Sequence, residues 1–266
     1  MSTLDDVLDH VDASLAFDPG YYNESYLSRR VDSRMRRRNA DDYGTYLDIL
    51  EDDDGEREEL LDALTINVTS FFRNPDVWES LVPVLRDLTD EKRRVRCWSS
   101  ACADGREPYS LAMAALDDDD VRERAVEIEA TDISRPALES AREGAYTQTR
   151  TTDLDAELEP LDDPSEYVDV DGETLRVTDR VKRLVDFDEH DLVVDGPRSR
   201  EGMDLVLCRN ILIYIDSEHK ERVFESLAGS LRRGGYLVLG KTETLPPGFR
   251  DAFDGVDKRC RIYRKR

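Results

Sequence analysis

The sequence has 266 residues and a formal net charge of −23, with 61 acidic and 38 basic residues. This length allows one large domain plus a small one, and 39% hydrophobic residues in regular patterns exclude a chain that is disordered throughout. The excess of carboxylates opposes binding to nucleic acid. Since only 6 of the basic residues are Lys, the composition also indicates a cytosol of very high salt, where dense carboxylates stay hydrated and screened.

The sequence shows no clear pattern of a signal peptide, a membrane span, a metal site or a disulfide framework. The first residues lack the apolar run of a signal peptide, and the apolar stretch 205–215 is short and interrupted by polar residues. We therefore expect a cytoplasmic protein without a membrane span. The four cysteines and three histidines show no metal-ligand spacing, so we expect neither a metal site nor a disulfide framework. Cys97 and Cys208 lie within or beside predicted strands and should be small buried thiols.

Residues 1–66 are predicted to form a helical N-terminal domain, because apolar residues recur at helical spacing in four successive stretches. The second stretch carries six arginines between residues 29 and 38 in a chain that is otherwise acidic. Arg30, Arg34, Arg37 and Arg38 fall on one face of this helix, which predicts an acidic partner. The alternative is that nearby Asp and Glu side chains pair with this face.

A linker over residues 67–80 is predicted to follow. Phe71 and Phe72 stand there among polar residues, and a solvated linker has little use for adjacent aromatic rings. We therefore expect both rings to be packed against other parts of the protein. Packing between domains would explain them without a binding function.

Residues 81–266 are predicted to form an α/β domain. A strand over 95–98 is followed by a turn around Gly105 and by a helix that Pro108 opens. The strand 126–130 ends on Thr131 and Asp132, where nucleoside-binding sheets place the carboxylate that binds a ribose. The pattern of three glycines is absent, so an ordinary strand-to-helix loop remains the alternative.

The second half of this domain is predicted to contain a small antiparallel insert and further strands of the parallel sheet. A helix is predicted over 136–145, and residues 167–177 form a hairpin around Asp171-Gly172. With a third strand over 181–187, the hairpin makes a small antiparallel insert at about 160–188. A strand over 203–208 returns to the parallel sheet. A helix then runs from Asp216 or Ser217 to Leu231, ends at Gly234-Gly235, and precedes two antiparallel strands over 236–239 and 260–264.

Five blocks of residues carry a resemblance to a known family. They are Asn-Val-Thr-Ser-Phe-Phe-Arg at 67–73, Trp-Ser-Ser-Ala-Cys with Gly-Arg-Glu-Pro-Tyr-Ser at 98–110, Ala-Thr-Asp-Ile at 130–133, Cys-Arg-Asn-Ile-Leu-Ile-Tyr at 208–214, and Gly-Gly-Tyr-Leu-Val-Leu-Gly-Lys-Thr-Glu at 234–243. In this order and spacing the chain resembles the chemotaxis receptor glutamate methyltransferases, the CheR family. The resemblance covers nearly the whole chain. Together with the composition, it points to a halophilic archaeon as the source.

The resemblance implies S-adenosylmethionine as methyl donor, with S-adenosylhomocysteine as product, and chemoreceptor glutamates as acceptors. The methyl esters formed serve sensory adaptation. It also implies a helical domain followed by a Rossmann-like domain with a small antiparallel β insert, and it gives residues 67–80 a share in the cofactor site. The basic face of Arg30, Arg34, Arg37 and Arg38 then becomes a site for the acidic methylation region of the receptor.

Carried over residue by residue, the resemblance implies a donor site formed by Asn67, Thr69, Arg73, Glu107, Asp132, Asp191, Leu192, Arg209 and Asn210. Arg73 and Tyr214 match the positions next to the reacting methyl group and are the candidate catalytic residues. Two positions depart from the family. Arg106 stands where a glutamate is usual, and Asp191 replaces a common asparagine, which keeps an acceptor but removes the amide donors.

Two alternatives within this interpretation stay open. The protein could be a scaffold that binds the donor and regulates signalling by occupancy alone, or a methyltransferase with a different acceptor. A nucleic-acid-binding module is opposed by the net charge and by the absence of aromatic residues between the arginines. No long apolar face is left over, so we expect a monomer.

Overall fold

The computed structural model describes residues 2–15, 17–64, 69–149, 152–194 and 201–266. The chain divides into two compact units. The first unit combines Met1–Asn67 with Ile213–Lys220, and the second combines Val68–Leu212 with Glu221–Arg266. Asn67, which the resemblance assigns to the donor site, lies outside the described residues.

Four α-helices fold the described part of Met1–Asn67, as the apolar periodicity predicts. They are α1 (Leu4–Ser14), α2 (Glu24–Arg38), α3 (Tyr43–Asp52) and α4 (Asp54–Leu64). Each turns apolar side chains three or four residues apart toward a shared core, and Leu27, Val31 and Met35 of α2 are all buried. A capping box between Thr3 and Asp6 starts α1. The predicted helical domain is confirmed.

The elements after Asn67 are both helices and strands. In chain order they are α5 (Pro75–Glu91), β1 (Val95–Ser99), α6 (Arg106–Asp117), β2 (Val126–Asp132), α7 (Arg135–Glu143), β3 (Ala145–Thr147), α8 (Leu154–Glu157), β4 (Val168–Asp171), β5 (Thr174–Val177), α9 (Asp179–Lys182), β6 (Val185–Glu189), β7 (Met203–Cys208), α10 (Ser217–Ser230), β8 (Leu231–Leu239), β9 (Phe253–Asp257) and β10 (Ile262–Lys265).

The main sheet has seven strands in the order β6-β2-β1-β7-β8-β10-β9. The first five are parallel, and β10 runs antiparallel to both β8 and β9. β7 is buried along its whole length, as expected for a parallel strand covered on both faces. The chain proceeds from β1 outward to β2 and β6 and then returns to β7 on the other side of β1. The carboxyl ends of β1 and β7 therefore flank a topological switch point, where open α/β sheets bind ligands.

A small antiparallel sheet has the order β3-β5-β4. β4 and β5 form the predicted hairpin, but Asp171 pairs with Thr174, so the turn is Gly172-Glu173. The predicted third strand over 181–187 is wrong. Its first residues lie in α9, and β6 pairs in parallel with β2 in the main sheet. β3 takes its place although it precedes the expected insert at 160–188, because a strand pattern does not specify the pairing partner.

The region after β7 also differs from the prediction. α10 ends at Ser230, and both Gly234 and Gly235 lie inside β8 instead of ending the helix. A Cβ on Gly235 would lie 3.0 Å from the backbone oxygen of Met203, so close approach of the two strands favours glycine there. The pairing of β7 with β8 is correspondingly irregular near Met203.

The predicted buried side chains are found in the core of the second unit. Phe71 and Phe72 are 2% and 3% exposed and pack with α5 and α6 residues, which confirms that this segment is not a solvated linker. Cys97 and Cys208 are buried free thiols, as expected. Within the described ranges, no helix is both long enough and apolar enough to cross a membrane.

Candidate active site

The turn between β1 and α6 brings the backbone close to the end of β2. The amide of Cys102 donates to the carbonyl oxygen of Thr131 at 2.9 Å. Ala103 and Gly105 both have positive φ, at 48° and 88°. A Cβ on Gly105 would lie 2.8 Å from the Cβ of Ala141, so this position requires glycine for both space and conformation. The result is a tight backbone turn at the switch point of the sheet.

Asp132 ends β2 and holds this turn in place. Its carboxylate accepts hydrogen bonds from the amide of Ala103 at 2.8 Å and from the amide of Ser134 at 3.0 Å. Burial raises the pKa of Asp132, while these backbone hydrogen bonds oppose the shift. Each carboxylate oxygen keeps a further lone pair, so Asp132 can still accept hydrogen bonds from hydroxyl groups of a ligand.

Glu107 lies in the first turn of α6 and is held by two polar side chains. Its carboxylate accepts from the Ser99 hydroxyl at 2.8 Å and from the Arg209 guanidinium at 3.4 Å. Burial raises the pKa of Glu107, and Arg209 opposes this. Burial also lowers the pKa of Arg209, which is 6% exposed. Since one long ion pair only partly neutralises this carboxylate, the site favours an additional cation.

Arg209 also fixes the backbone around Arg73. One guanidinium nitrogen of Arg209 donates to the carbonyl oxygen of Arg73 at 2.7 Å and to the side chain of Asn74 at 3.1 Å. The indole nitrogen of Trp78 donates to the same carbonyl at 3.2 Å. Arg73 stands between two non-glycine residues with positive φ, Phe72 at 44° and Asn74 at 61°. Such strained backbone is maintained where the surrounding contacts fully determine it, as they do here.

Arg106, the residue that departs from the family pattern, connects the turn to the segment before Phe71. Its guanidinium donates to the carbonyl oxygen of Thr69 at 3.0 Å and lies 5.0 Å from the ring centre of Tyr146 and 5.9 Å from that of Phe71. The hydrogen bond thus holds Thr69, a predicted donor-site residue, beside α6, and the two cation–π contacts fix the guanidinium that makes it. A glutamate could not make these contacts.

Asn210 follows β7 and has a positive φ of 64°. Its side-chain oxygen is buried and has no hydrogen-bond partner among the residues that the structure describes. Buried polar atoms are nearly always hydrogen-bonded in folded proteins, so this acceptor is available to an N–H or O–H group of a ligand. The backbone around it is held by Glu243, a residue that the sequence analysis did not assign to the site. Its only signal in the sequence was its place at the end of the last family-like block.

Asp191 and Leu192 follow β6 at the same edge of the sheet. One carboxylate oxygen of Asp191 accepts from the amides of Val193 and Val194 at 2.8 and 3.1 Å. The amide of His190 donates to the carbonyl oxygen of Asp132 at 3.1 Å, which ties this segment to the end of β2. Leu192 is buried. The second carboxylate oxygen of Asp191 makes neither of these turn contacts.

Tyr214 belongs to the first unit. Its ring lies 4.8 Å from that of Tyr26, and its carbonyl oxygen accepts from the amide of Asn23 at 3.0 Å. Tyr214 packs against the core of the helical domain and is half-buried. Its catalytic role stays a prediction.

The basic face of α2 is only partly available to a partner. Arg34 is 6% exposed, and its guanidinium makes two hydrogen bonds to the Glu56 carboxylate, at 3.0 and 2.6 Å. Arg38 donates to Glu56 and to Asp53, at 3.0 and 2.8 Å. Carboxylates of the same domain already pair with Arg34 and Arg38, which is the alternative given for this face, and substrate binding by these two residues stays a prediction.

The other arginines of α2 differ. Arg37 is exposed, together with Arg29 and Arg36, and the guanidinium of the half-buried Arg30 lies over the Tyr26 ring at 5.2 Å. Substrate binding by Arg30 and Arg37 stays a prediction.

These features fit S-adenosylmethionine, the cofactor that the resemblance implies. The donor is a cation at sulfur and carries an ammonium group, ribose hydroxyls and adenine. Glu107 supplies a weakly neutralised carboxylate, Asp132 an acceptor at the end of the second strand, and Asn210 a buried acceptor without a partner. All three lie at the carboxyl edge of the parallel sheet. Among the described residues, no group of three or more His, Cys, Asp or Glu side chains is arranged to hold a metal ion.

Comparison with known proteins agrees with this geometry. Residues 67–262 match the CheR methyltransferase SAM-binding domain, and residues 2–65 match the CheR methyltransferase all-alpha domain. The chain is 35% identical over 237 residues to a chemotaxis protein methyltransferase of Listeria monocytogenes, covering 88% of this chain and 87% of that one. It is 37% identical over 204 residues to a chemotaxis protein methyltransferase of Vibrio parahaemolyticus, covering 75% and 72%. The chain therefore belongs to the CheR methyltransferase family, and it is an S-adenosylmethionine-dependent methyltransferase.

Proposed function

We propose that the protein transfers the methyl group of S-adenosylmethionine to glutamate side chains of chemotaxis receptors, forming methyl esters. The observation that carries this proposal is the half-buried, weakly neutralised Glu107 at the same edge of the sheet as Asp132 and Asn210, a donor site for a sulfonium cation. Family membership and relatives that are named chemotaxis protein methyltransferases support the receptor as acceptor.

The chemistry explains why no catalytic base is needed. A glutamate side chain, with an ordinary pKa of about 4.3, is already ionised at neutral pH and can attack a methyl group directly. When bound, the donor supplies an electrophilic methyl group on a positively charged sulfur. Because the two charges cancel during the transfer, water stabilises the separated reactants. The protein must therefore align the reactants and exclude water.

Arg73 and Tyr214 are proposed to position the incoming carboxylate. A guanidinium can hold a carboxylate by paired hydrogen bonds, and a tyrosine hydroxyl can set its angle. The contacts from Arg209 and Trp78 to the Arg73 carbonyl oxygen support this role, since they fix the backbone that carries the Arg73 side chain. Glu107, Asp132, Asn210, Arg209 and Thr69 are proposed to hold the donor, together with Asn67, Asp191 and Leu192.

Recognition of the receptor is proposed to use the exposed arginines of α2. At the molar salt that the composition suggests, the Debye length is only about 3 Å, so long-range steering is nearly absent. Contact must then rely on short hydrogen bonds, for which guanidinium groups are better suited than ammonium groups. We place the reaction in the cytoplasm of a salt-adapted cell and expect the enzyme to act as a monomer.

The test is transfer of labelled methyl groups from S-adenosylmethionine to membranes that contain the cognate receptors, at molar salt. Label on the receptors that mild alkali releases identifies glutamate methyl esters. Arg73→Ala should reduce the transfer by at least about 100-fold while S-adenosylhomocysteine binding is largely kept.

Near-normal turnover of Arg73→Ala would contradict the role of Arg73. Absence of any transfer by the wild type, with tight donor binding in the same buffer, would favour the scaffold or a different acceptor.

A further inference from the structure

A buried carboxylate joins the segment after β7 to the end of β8. Glu243 is 4% exposed. One of its carboxylate oxygens accepts from the amide of Asn210 at 3.0 Å and from that of Gly240 at 2.7 Å, and the other accepts from the amide of Leu212 at 2.8 Å. One side chain therefore satisfies three backbone donors on two separate segments.

The charge of Glu243 is essential to this arrangement. Both carboxylate oxygens face N–H groups, so an ionised side chain supplies acceptors at every contact. A neutral amide of the same shape would turn an NH₂ group toward at least one backbone N–H. That contact would be repulsive in a buried place where water cannot replace it.

Space around these contacts is equally restricted. A Cβ on Gly240 would lie 2.6 Å from the Glu243 carboxylate, 2.8 Å from the Asn210 amide nitrogen and 3.0 Å from the Asn210 side-chain nitrogen. Any side chain at position 240 would therefore force the three groups apart. Gly240 is required because the backbone, Asn210 and Glu243 meet at this point.

The group that these contacts hold in place is Asn210. Its positive φ of 64° lies in a region that non-glycine residues rarely adopt, and the hydrogen bond from its amide to Glu243 helps to maintain it. In this conformation the side-chain oxygen is buried and, within the described part of the chain, lacks a hydrogen-bond partner. The backbone of Asn210 is thus fixed by Glu243 while its side-chain acceptor stays available to a ligand.

We propose that Glu243 is a positioning residue for the methyl donor. It keeps Asn210 in the conformation that leaves the side-chain oxygen available to an N–H or O–H group of S-adenosylmethionine. This inference rests on the donor site of the proposed function, but it is independent of the acceptor. Glu243 itself already uses both carboxylate oxygens for backbone contacts, so its effect on the donor acts through Asn210.

The test measures binding of S-adenosylhomocysteine by calorimetry, together with hydrogen exchange at the amides of Asn210, Leu212 and Gly240. Glu243→Gln should lower the affinity by at least about 10-fold, a loss of the size found when a group that orients a metal ligand is removed. The three amides should exchange faster than in the wild type. In methyl transfer, the KM for the donor should rise more than kcat falls.

Asp204→Asn is the matched control. Asp204 is also a fully buried carboxylate with several donors, including Lys92 at 2.6 Å and the amide of Arg96 at 3.0 Å, but it lies at the opposite end of β7. This variant should lose stability and keep the donor affinity. A folded Glu243→Gln protein with wild-type affinity would overturn the proposal. So would an equal loss of affinity in Asp204→Asn, because the effect would then reflect stability alone.

If Glu243→Gln fails to fold, Gly240→Ala decides the question, since it crowds the same contacts while Glu243 is kept. Its control is Gly248→Ala, where an added Cβ meets nothing within 4 Å. A loss of affinity in Gly240→Ala alone supports the proposal, and wild-type affinity contradicts it. Because binding is measured without a receptor, a wild type that binds the product but methylates no receptor would contradict the proposed acceptor and leave the role of Glu243 intact.

Discussion

The ion-pair network inside the helical domain allows a quantitative prediction. The Glu56 side chain is fully buried and accepts four hydrogen bonds: two from Arg34, one from Arg38 at 3.0 Å and one from the Tyr46 hydroxyl at 2.7 Å. Replacing Glu56 with Gln removes the charge and leaves the guanidinium of Arg34 buried. Removing one partner of a buried pair typically costs about 3–5 kcal/mol. We expect about 3 kcal/mol, because Glu59 still contacts Arg34 at 2.9 Å.

Glu59→Gln is the matched control, since Glu59 contacts the same guanidinium but its side chain is 64% exposed. An exposed pair of this kind contributes about 1 kcal/mol or less. The two variants should also differ in their response to salt. Raising KCl from about 1 M to about 3 M should leave the effect of Glu56→Gln nearly unchanged, because buried pairs are screened much less than exposed ones.

The assay must report on the helical domain alone. Both tryptophans of the chain, Trp78 and Trp98, lie in the second unit, so their fluorescence would follow the wrong unit. Amide hydrogen exchange of α2 and α4 gives the local free energy of opening instead. If Glu56→Gln lowers it no more than Glu59→Gln does, or if its effect disappears at high salt, the assignment of this network as a major stabilising element is wrong.

The same network predicts an acid limit. Burial opposes ionisation of Glu56, but hydrogen bonds from Arg34 and Tyr46 prevail and lower its pKa below the ordinary value. Its contribution is therefore present above the unfolded pKa of about 4.3 and is lost as the pH falls through the lower folded pKa. The difference in stability between the wild type and Glu56→Gln should shrink over that acidic range.

Three further predictions concern the function. Changing the exposed Arg36 and Arg37 to Glu should reduce receptor methylation several-fold at native salt and leave S-adenosylhomocysteine binding unchanged. The control Arg93→Glu should alter neither methylation nor binding. Normal methylation by the double variant would exclude this face of α2 as the receptor site. Arg106→Ala should weaken S-adenosylhomocysteine binding about 10-fold, because it removes the hydrogen bond to Thr69 and two cation–π contacts; unchanged affinity in calorimetry would refute this. Because burial raises the pKa of Glu107, its contribution to stability is present below its unfolded pKa of about 4.3 and is lost as the pH rises through the folded pKa. Donor affinity should change in the opposite direction and fall on acidification. A Glu107→Gln variant that keeps the wild-type pH dependence of donor affinity would contradict the assignment.

Local patterns in the sequence were sufficient to predict most of the helices and strands. The spacing of apolar residues predicts the four helices of the N-terminal domain, and the run 126–130 ending on Asp132 predicts a strand with an acidic tip. Gly105 marks the turn before α6 because its positive φ of 88° favours glycine. These features depend on neighbours within a few residues, so periodicity and turn chemistry identify them.

Strand pairing was decided by the tertiary structure. The pattern at 181–187 indicates extended structure but does not distinguish the antiparallel insert from the edge of the parallel sheet, where β6 lies beside β2. Side chains of β6 alternate between its two faces in either sheet. Only the position of β2, more than fifty residues earlier in the chain, determines which sheet receives the strand.

The residues that pair with each charged side chain likewise could not be predicted from the sequence. Arg34 and Arg37 lie three residues apart on one helix and look equivalent in a helical pattern, yet Arg34 is buried against Glu56 of α4 and Arg37 is exposed. Glu243 is one of 61 acidic residues, and only its place at the end of the last family-like block distinguishes it from the others. Its three backbone donors lie on segments that meet only when β7 and β8 pair. Residues nearby in the chain determine whether a side chain lies on a helix or on a strand. The partners that determine its charge state and its role come from distant segments that folding brings together.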